Sequence, residues 1–200
     1  MTRDRFATRA SILDSAAAII ATRGAAALGV NALADASKCD KVLIYRYFGG
    51  LDGVLKALGA ERMLWPRVEI GEEAQGASLA DAVRTAMLEE WAAIGDSALV
   101  RSAAAAESSG NSALAPAVAE QRVESHARMI AQLRASHRVP QYTDLPALLE
   151  LVSAALAMLA LRGAGARATQ SIDPASPDGR RRIEKMVGAI ARALLEPSGG

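Results

Sequence analysis

The chain has 200 residues, a mass of 20.8 kDa and a formal net charge of +1, which suits one ordinary domain or a small head joined to a larger body. Hydrophobic residues make up 51% but aromatics only 4%, and 45 residues are alanine; this argues against an all-β fold and for closely packed helices. One cysteine, Cys39, and two histidines, His126 and His137, exclude an internal disulfide and a structural zinc site closed by a single chain, so no metal or cofactor is expected.

The first segment places Phe6, Ile12, Leu13, Ala16, Ala17, Ile19 and Ile20 at helical spacing until Gly24 stops it. A short helix is expected over 30–36 and a third over 40–48, where Asp40 caps the N-terminus and Ile44 and Phe48 turn inward. Lys41, Val42, Tyr45 and Arg46 then point outward, and Gly49-Gly50 breaks the chain. A helix over 51–65 with Val54, Leu55, Leu58 and Met63 runs to Pro66, and 68–77 reads as a loop. Ser78 opens a helix with Leu79, Val83, Met87, Trp91 and Ile94 on one face, followed by a shorter helix over 98–107 and a turn at 108–111. Pro116 starts a helix bearing Val118, Val123, Met129, Ile130 and Leu133, and two more are expected over 143–162 and Pro177–Leu195. The total is about nine helices and no strand: an all-α chain with a three-helix head, residues 1–50, and a helical body, residues 51–200.

The near-neutral total hides an uneven distribution. Residues 1–62 carry nine basic and six acidic groups, net +3, and the remainder is −2. Three short helices in the most basic third fit a helix-turn-helix reader, whose recognition helix needs an apolar anchoring face and a polar, cationic face toward base edges and phosphates. The same spacing fits an amphipathic helix with a solvated basic face.

Ile12-Leu13…Ala16-Ala17, Gly24, Leu33-Ala34, Ile44-Tyr45-Arg46-Tyr47-Phe48 and Leu55 together resemble the N-terminal domain of the tetracycline-repressor (TetR) family over about residues 9–58. The resemblance implies a transcriptional regulator that binds a palindromic operator in double-stranded DNA as a homodimer and responds to a small-molecule effector, most often as a repressor. It implies that Lys41 and Val42 face bases and that Tyr45 and Tyr47 touch the DNA backbone. Asp40 stands at the capping position, and Lys38 and Arg46 are further candidates for the DNA face. The sequence departs from the family pattern at three places: Lys38 replaces the turn glycine, Gly29-Val30 replaces the threonine that opens the second helix, and Leu51 replaces a phosphate-contacting lysine. These departures leave open a second reading, a helical small-molecule-binding or protein-interaction module with a degenerated DNA-binding head.

In the family the C-terminal helices supply a ligand pocket and a dimer seam. Here Leu148, Leu149, Val152 and Leu156, with Ile183, Val187, Ile190 and Leu194, are the seam candidates, and packing inside one chain is the alternative. Trp65, Met87, Trp91 and Met129 are candidates to line a largely apolar pocket or simply to fill the core, with Glu107, Arg122 and His126 as polar anchors; Arg122 and His126, four apart, share a helix face. No enzyme is expected. Gly95-Asp96-Ser97 lacks the preceding strand of a nucleophile turn, and Gly163 and Gly165 lack the Lys-Ser/Thr of a phosphate loop. Cys39 is a packing residue or a redox-sensitive thiol in the turn of the reader. The polar N-terminus carries no secretory pattern, and the apolar stretch between Glu150 and Arg162 falls short of a membrane span, so a cytoplasmic location is expected.

Overall fold

The isoleucine- and alanine-rich first segment forms α1 (Thr2–Arg23), and Gly24 follows it at φ 83°. The computed structural model describes residues 2–71, 74, 76–110, 112–162 and 172–196; Gly163 and Gly165 lie outside these. After a 3₁₀ turn (Ala25–Ala27) come α2 (Val30–Ser37), α3 (Lys41–Phe48), α4 (Leu51–Glu61), α5 (Leu79–Asp96) and α6 (Ala98–Ser109). The chain continues with α7 (Ala115–Ser136), α8 (Leu145–Arg162) and α9 (Pro177–Leu195). Nine α-helices and no strand among the described residues make the all-α architecture that the alanine content predicted.

The helices form two compact units, and these do not follow the division at residue 50. The first unit is Met1–Trp65 with Ser97–Arg122, so α4, α6 and the first turns of α7 group with the three head helices. The cause is α6, whose small residues Ala103 and Ala104 are buried and let the helix pack closely against α1. Ile12, Leu13, Ile20, Leu33, Ile44 and Leu58 are fully buried in this unit. Phe6, expected on the inner face of α1, is instead exposed.

α4 stops at Glu61, four residues before the expected end, because Gln121 of α7 takes over the hydrogen bonding of the next segment. Its Oε1 accepts from the Leu64 and Trp65 backbone N–H groups at 2.8 and 3.1 Å, and its Nε2 donates to the Gly59 and Arg62 carbonyls at 2.5 and 2.9 Å. All four hydrogen-bonding valences of one amide are filled, and Arg62 turns extended. Met63, beyond the helix end, is exposed where an inward position was expected. Gly59 faces Ala117 so closely that a Cβ at 59 would stand 2.7 Å from the alanine Cβ.

The second unit is Pro66–Asp96 with Val123–Gly200. Its centre is α5, against which α8 and α9 both pack. Met87, Met129, Leu133, Leu145 and Leu149 are fully buried there, joined by Val83, Trp91, Leu156, Ile183, Val187, Ala191 and Leu195. Val123 turns outward, contrary to its place in the apolar periodicity. By length and composition alone α8 is apolar enough to cross a membrane, with 18 residues at a mean hydropathy of 1.7, longer than the stretch anticipated from the sequence. Its Leu145, Leu148, Leu149 and Leu156 nonetheless belong to the core of this unit. Ser97 is the N-cap of α6, accepting from the Val100 N–H at 3.3 Å, which accounts for the residue in the Gly-Asp-Ser turn.

Candidate functional site

α3 is defined at both ends by local chemistry. Asp40 caps it, its Oδ1 accepting from the Val42 N–H at 2.9 Å, and Gly49 closes it in the left-handed region at φ 76°. Gly50 follows at φ 126°, so both glycines of the joint hold conformations that a Cβ resists. Ile44 is the fully buried anchor, and one α-helical turn separates it from the half-buried Phe48. The opposite face carries Lys41, Val42, Tyr45 and Arg46, all exposed, with Val42 at 65% and Tyr45 at 57%. Two large side chains that open toward water on so short a helix leave an apolar and aromatic surface between cations, suited to groove contacts.

Lys38 ends α2 at φ 53°, ψ 36°, the only non-glycine with positive φ among the described residues. Its N–H bonds to the Asp35 carbonyl and that of Cys39 to the Ala34 carbonyl, so the turn between α2 and α3 closes as it would on glycine. The Lys38 side chain is exposed beside α3. Cys39 is half-buried, with Sγ 3.1 Å from Ser37 Oγ.

Tyr47 is half-buried, with the Arg5 guanidinium 5.7 Å from its ring centroid, and Arg9 lies 5.2 Å from the centroid of Phe48. Arg9 also meets Glu61 with both terminal nitrogens, at 2.8 and 2.5 Å, tying α1 to the end of α4. That hydrogen bond holds the Glu61 carboxyl below the usual carboxylate range, against the opposing effect of burial, and raises the Arg9 guanidinium in turn. Arg62 pairs with Asp14 at 2.5 Å, a second tie between the same segments. Thus the structure brings Lys38, Asp40, Lys41, Val42, Tyr45 and Arg46 to one exposed region, and Tyr47 lies behind them against α1. Gly53, which nothing in the sequence marked out, lets α4 start hard against α3: a Cβ there would fall 1.6 Å from the Phe48 carbonyl oxygen.

The polar anchors read from the sequence separate into two clusters. In the first unit Arg122 donates from Nε to Glu107 Oε1 at 3.0 Å, with its guanidinium 5.9 Å from the Trp65 ring centroid. In the second, His126 is buried between two carboxylates, its Nε2 3.1 Å from Glu90 Oε1 and its Nδ1 3.4 Å from Glu150 Oε2. Ser153 donates to Glu90 Oε1 at 3.1 Å. A carboxylate thus stands at each of the two ring nitrogens of His126. Arg122 and His126 therefore do not form a pair, because each meets its own carboxylate. Met87, Trp91 and Met129 are core residues of the second unit, and Trp65 is buried in the first. Glu90 and Ser153 were missed in the sequence because an isolated polar residue on an amphipathic helix gives no sign of its burial.

The seam candidates also divide. Leu148, Leu149, Leu156, Ile183 and Val187 are buried within the chain, so they are core, and Val152 is half-buried. Ile190 and Leu194 are exposed, and with Met186 they make a second stripe on α9, beside exposed Leu151 and Met158 on α8. One periodicity carried two faces.

Residues 12–58 match the family described as bacterial regulatory proteins, tetR family. No curated protein sequence is similar enough to match. Among solved structures the chain is similar to a TetR transcriptional regulator from Agrobacterium tumefaciens, at 18% identity and a TM-score of 0.63 over 96% of this chain and 95% of that one. It is similar also to HlyIIR, a hemolysin II transcriptional regulator, at 16% identity and a TM-score of 0.60 over 96% and 99% of the two chains. Salmonella enterica GusR is similar at 18% identity and a TM-score of 0.59 over 95% and 96%. At these identities the structures show a shared fold over the full length.

Proposed function

We propose that this chain, a tetR-family regulator by its N-terminal domain and its fold, is a ligand-responsive repressor that binds a palindromic operator as a homodimer. The observation that carries the reading is the capped α3 with Lys41, Val42, Tyr45 and Arg46 on its open face and Ile44 in the core. Lys41 and Val42, in the N-terminal turn, read base edges; Tyr45, Arg46, Tyr47 and Lys38 meet the backbone; Asp40 sets the helix start. Two copies joined through Leu151, Met158, Met186, Ile190 and Leu194 would present two recognition helices, and a palindromic site read in successive major grooves requires these about 34–36 Å apart, one turn of DNA.

The effector acts on the second unit, where Glu90, His126 and Ser153 give an apolar core its polar centre. α7 carries His126 and, five residues earlier, Gln121, which holds the end of α4. An effector that favours one position of α7 thereby biases α4 and the spacing of the two heads, a population shift with no change in the reader itself. The protein acts as a regulator in the cytoplasm, without a catalytic role.

The test is fluorescence anisotropy with the DNA upstream of its own gene across a salt series. Specific, salt-dependent binding is expected, with Lys41→Ala losing about 1–3 kcal/mol of sequence discrimination. No binding by the wild type even at low salt refutes the reader and leaves the second reading, a helical ligand-binding module whose replacement of the family lysine by Leu51 marks a degenerated head.

A further inference from the structure

We propose that α9 and α5 form a binding cleft for a small molecule carrying two or more anionic groups, a site that stands apart from operator recognition. The cleft has a volume of about 570 Å³, within the range of small-molecule sites. α9 presents three kinds of surface. Ile183, Val187, Ala191 and Leu195 enter the core, and Met186, Ile190 and Leu194 form the exposed apolar stripe. Arg181, Lys185 and Arg192 line the cleft together with Arg84 of α5. At about 100° per residue, Arg192 lies roughly 160° around the helix from Ile190, so a second copy seated on the apolar stripe leaves the cleft open.

Gly188 is the point on which the cationic groups converge. It is buried, and a Cβ at this position would stand 3.0 Å from Arg84 Cδ, 3.4 Å from Arg84 Nε and 3.5 Å from Arg192 Nη1. The missing side chain lets Arg84 lie across the α9 backbone, which brings its Nε within about 7 Å of Arg192 Nη1. Among the described residues no carboxylate lies within ion-pair distance of Arg84 or Arg192, while Arg181 is already met by Asp178 at 2.8 Å. Lys185 and Arg182 add further cations to the lining, and Asp178 and Glu184 are the acidic residues set against them. Two guanidinia held this close repel each other, and a ligand with anionic groups a few ångströms apart relieves the repulsion and receives paired N–H donors. Diphosphates and di- or tricarboxylates share that chemistry.

The experiment is isothermal titration and thermal unfolding of the full-length protein with sodium pyrophosphate and, separately, sodium citrate, each against sodium chloride at equal ionic strength. Saturable binding and a Tm that rises with ligand concentration are expected with at least one of the two anions, and the stronger one identifies the class. Arg84→Gln with Arg192→Gln should weaken binding at least tenfold, and Gly188→Ala should weaken it by displacing Arg84. Arg134→Gln, which removes a cation outside the cleft, should leave it unchanged. Should Gly188→Ala fail to fold, the arginine variants alone decide. A chloride control that matches both anions, or unaltered binding in the double arginine variant, overturns the proposal. Operator binding by the double arginine variant is expected to match wild type, so loss of the anion site and loss of DNA recognition read out separately.

Discussion

Lys38→Gly should make the protein more stable and a weaker DNA binder at once. At φ 53°, ψ 36° the lysine Cβ crowds its own backbone, a cost of about 1–2 kcal/mol for an L-residue in the left-handed region. Glycine removes that cost but brings an unfolded state richer in conformations, which takes back about 0.5–1 kcal/mol. The turn hydrogen bonds from the 38 and 39 N–H groups are backbone bonds and survive the change. The net gain of about 0.5–1 kcal/mol corresponds to a Tm rise of about 1–4 °C for a chain of this size. Removing the exposed ammonium would also delete the phosphate contact proposed for it, which should lower the slope of log K against log salt by about 1. Thermal unfolding and salt-series anisotropy measure the two effects independently. Lys38→Ala keeps the strain and loses the charge, so it should reproduce the flatter slope without the rise in Tm. A fall in Tm for Lys38→Gly would refute the strain argument, and an unchanged slope in both variants would refute the phosphate contact.

Asp40→Ala removes the cap of α3 and should cost about 1 kcal/mol in chemical unfolding, with a larger loss in operator affinity because the frayed turn carries Lys41 and Val42. Gln121→Leu forfeits four hydrogen bonds at the end of α4 and should cost about 2–4 kcal/mol, checked by urea titration. Since Glu61 is held below its ordinary range in the folded state, the Arg9–Glu61 pair contributes stability that is fully present above that range and is lost as pH falls below it through the lowered value. The pair is more than a third exposed, so solvent screening limits its worth to about 0.2–1 kcal/mol, and Glu61→Gln should remove only that much of the acid dependence of Tm. Met186→Glu with Ile190→Glu places charges on the exposed stripe of α9 and should yield a folded monomer by sedimentation, with operator binding reduced accordingly.

The shape of α3 was legible from sequence because everything that forms it is local. Asp40 caps a helix that begins one residue later, Gly49 ends it, and Ile44 and Phe48 find the same inner side that their four-residue spacing implies. The body was legible as helices and less so as faces. On α9 the apolar residues follow two interleaved stripes, and periodicity records that a residue is apolar without saying whether its own chain covers it. Arg122 and His126 share a helix side, yet Glu107 meets one and Glu90 and Glu150 meet the other.

By itself, then, the sequence determined the all-α class, the helices bounded by caps and glycines, and the family match of residues 12–58, since each rests on residues within a few turns of one another. Tertiary structure alone decided that α4 ends at Glu61, because the amide that holds the following segment comes from Gln121, some sixty residues away. It alone decided that α6 packs with the head helices, that Glu90 and Ser153 are buried around His126, and that Arg84 lies across Gly188. The physical reason is common to all four: hydrogen bonding, burial and charge pairing act between whatever surfaces the fold brings together, and no local pattern encodes the partner.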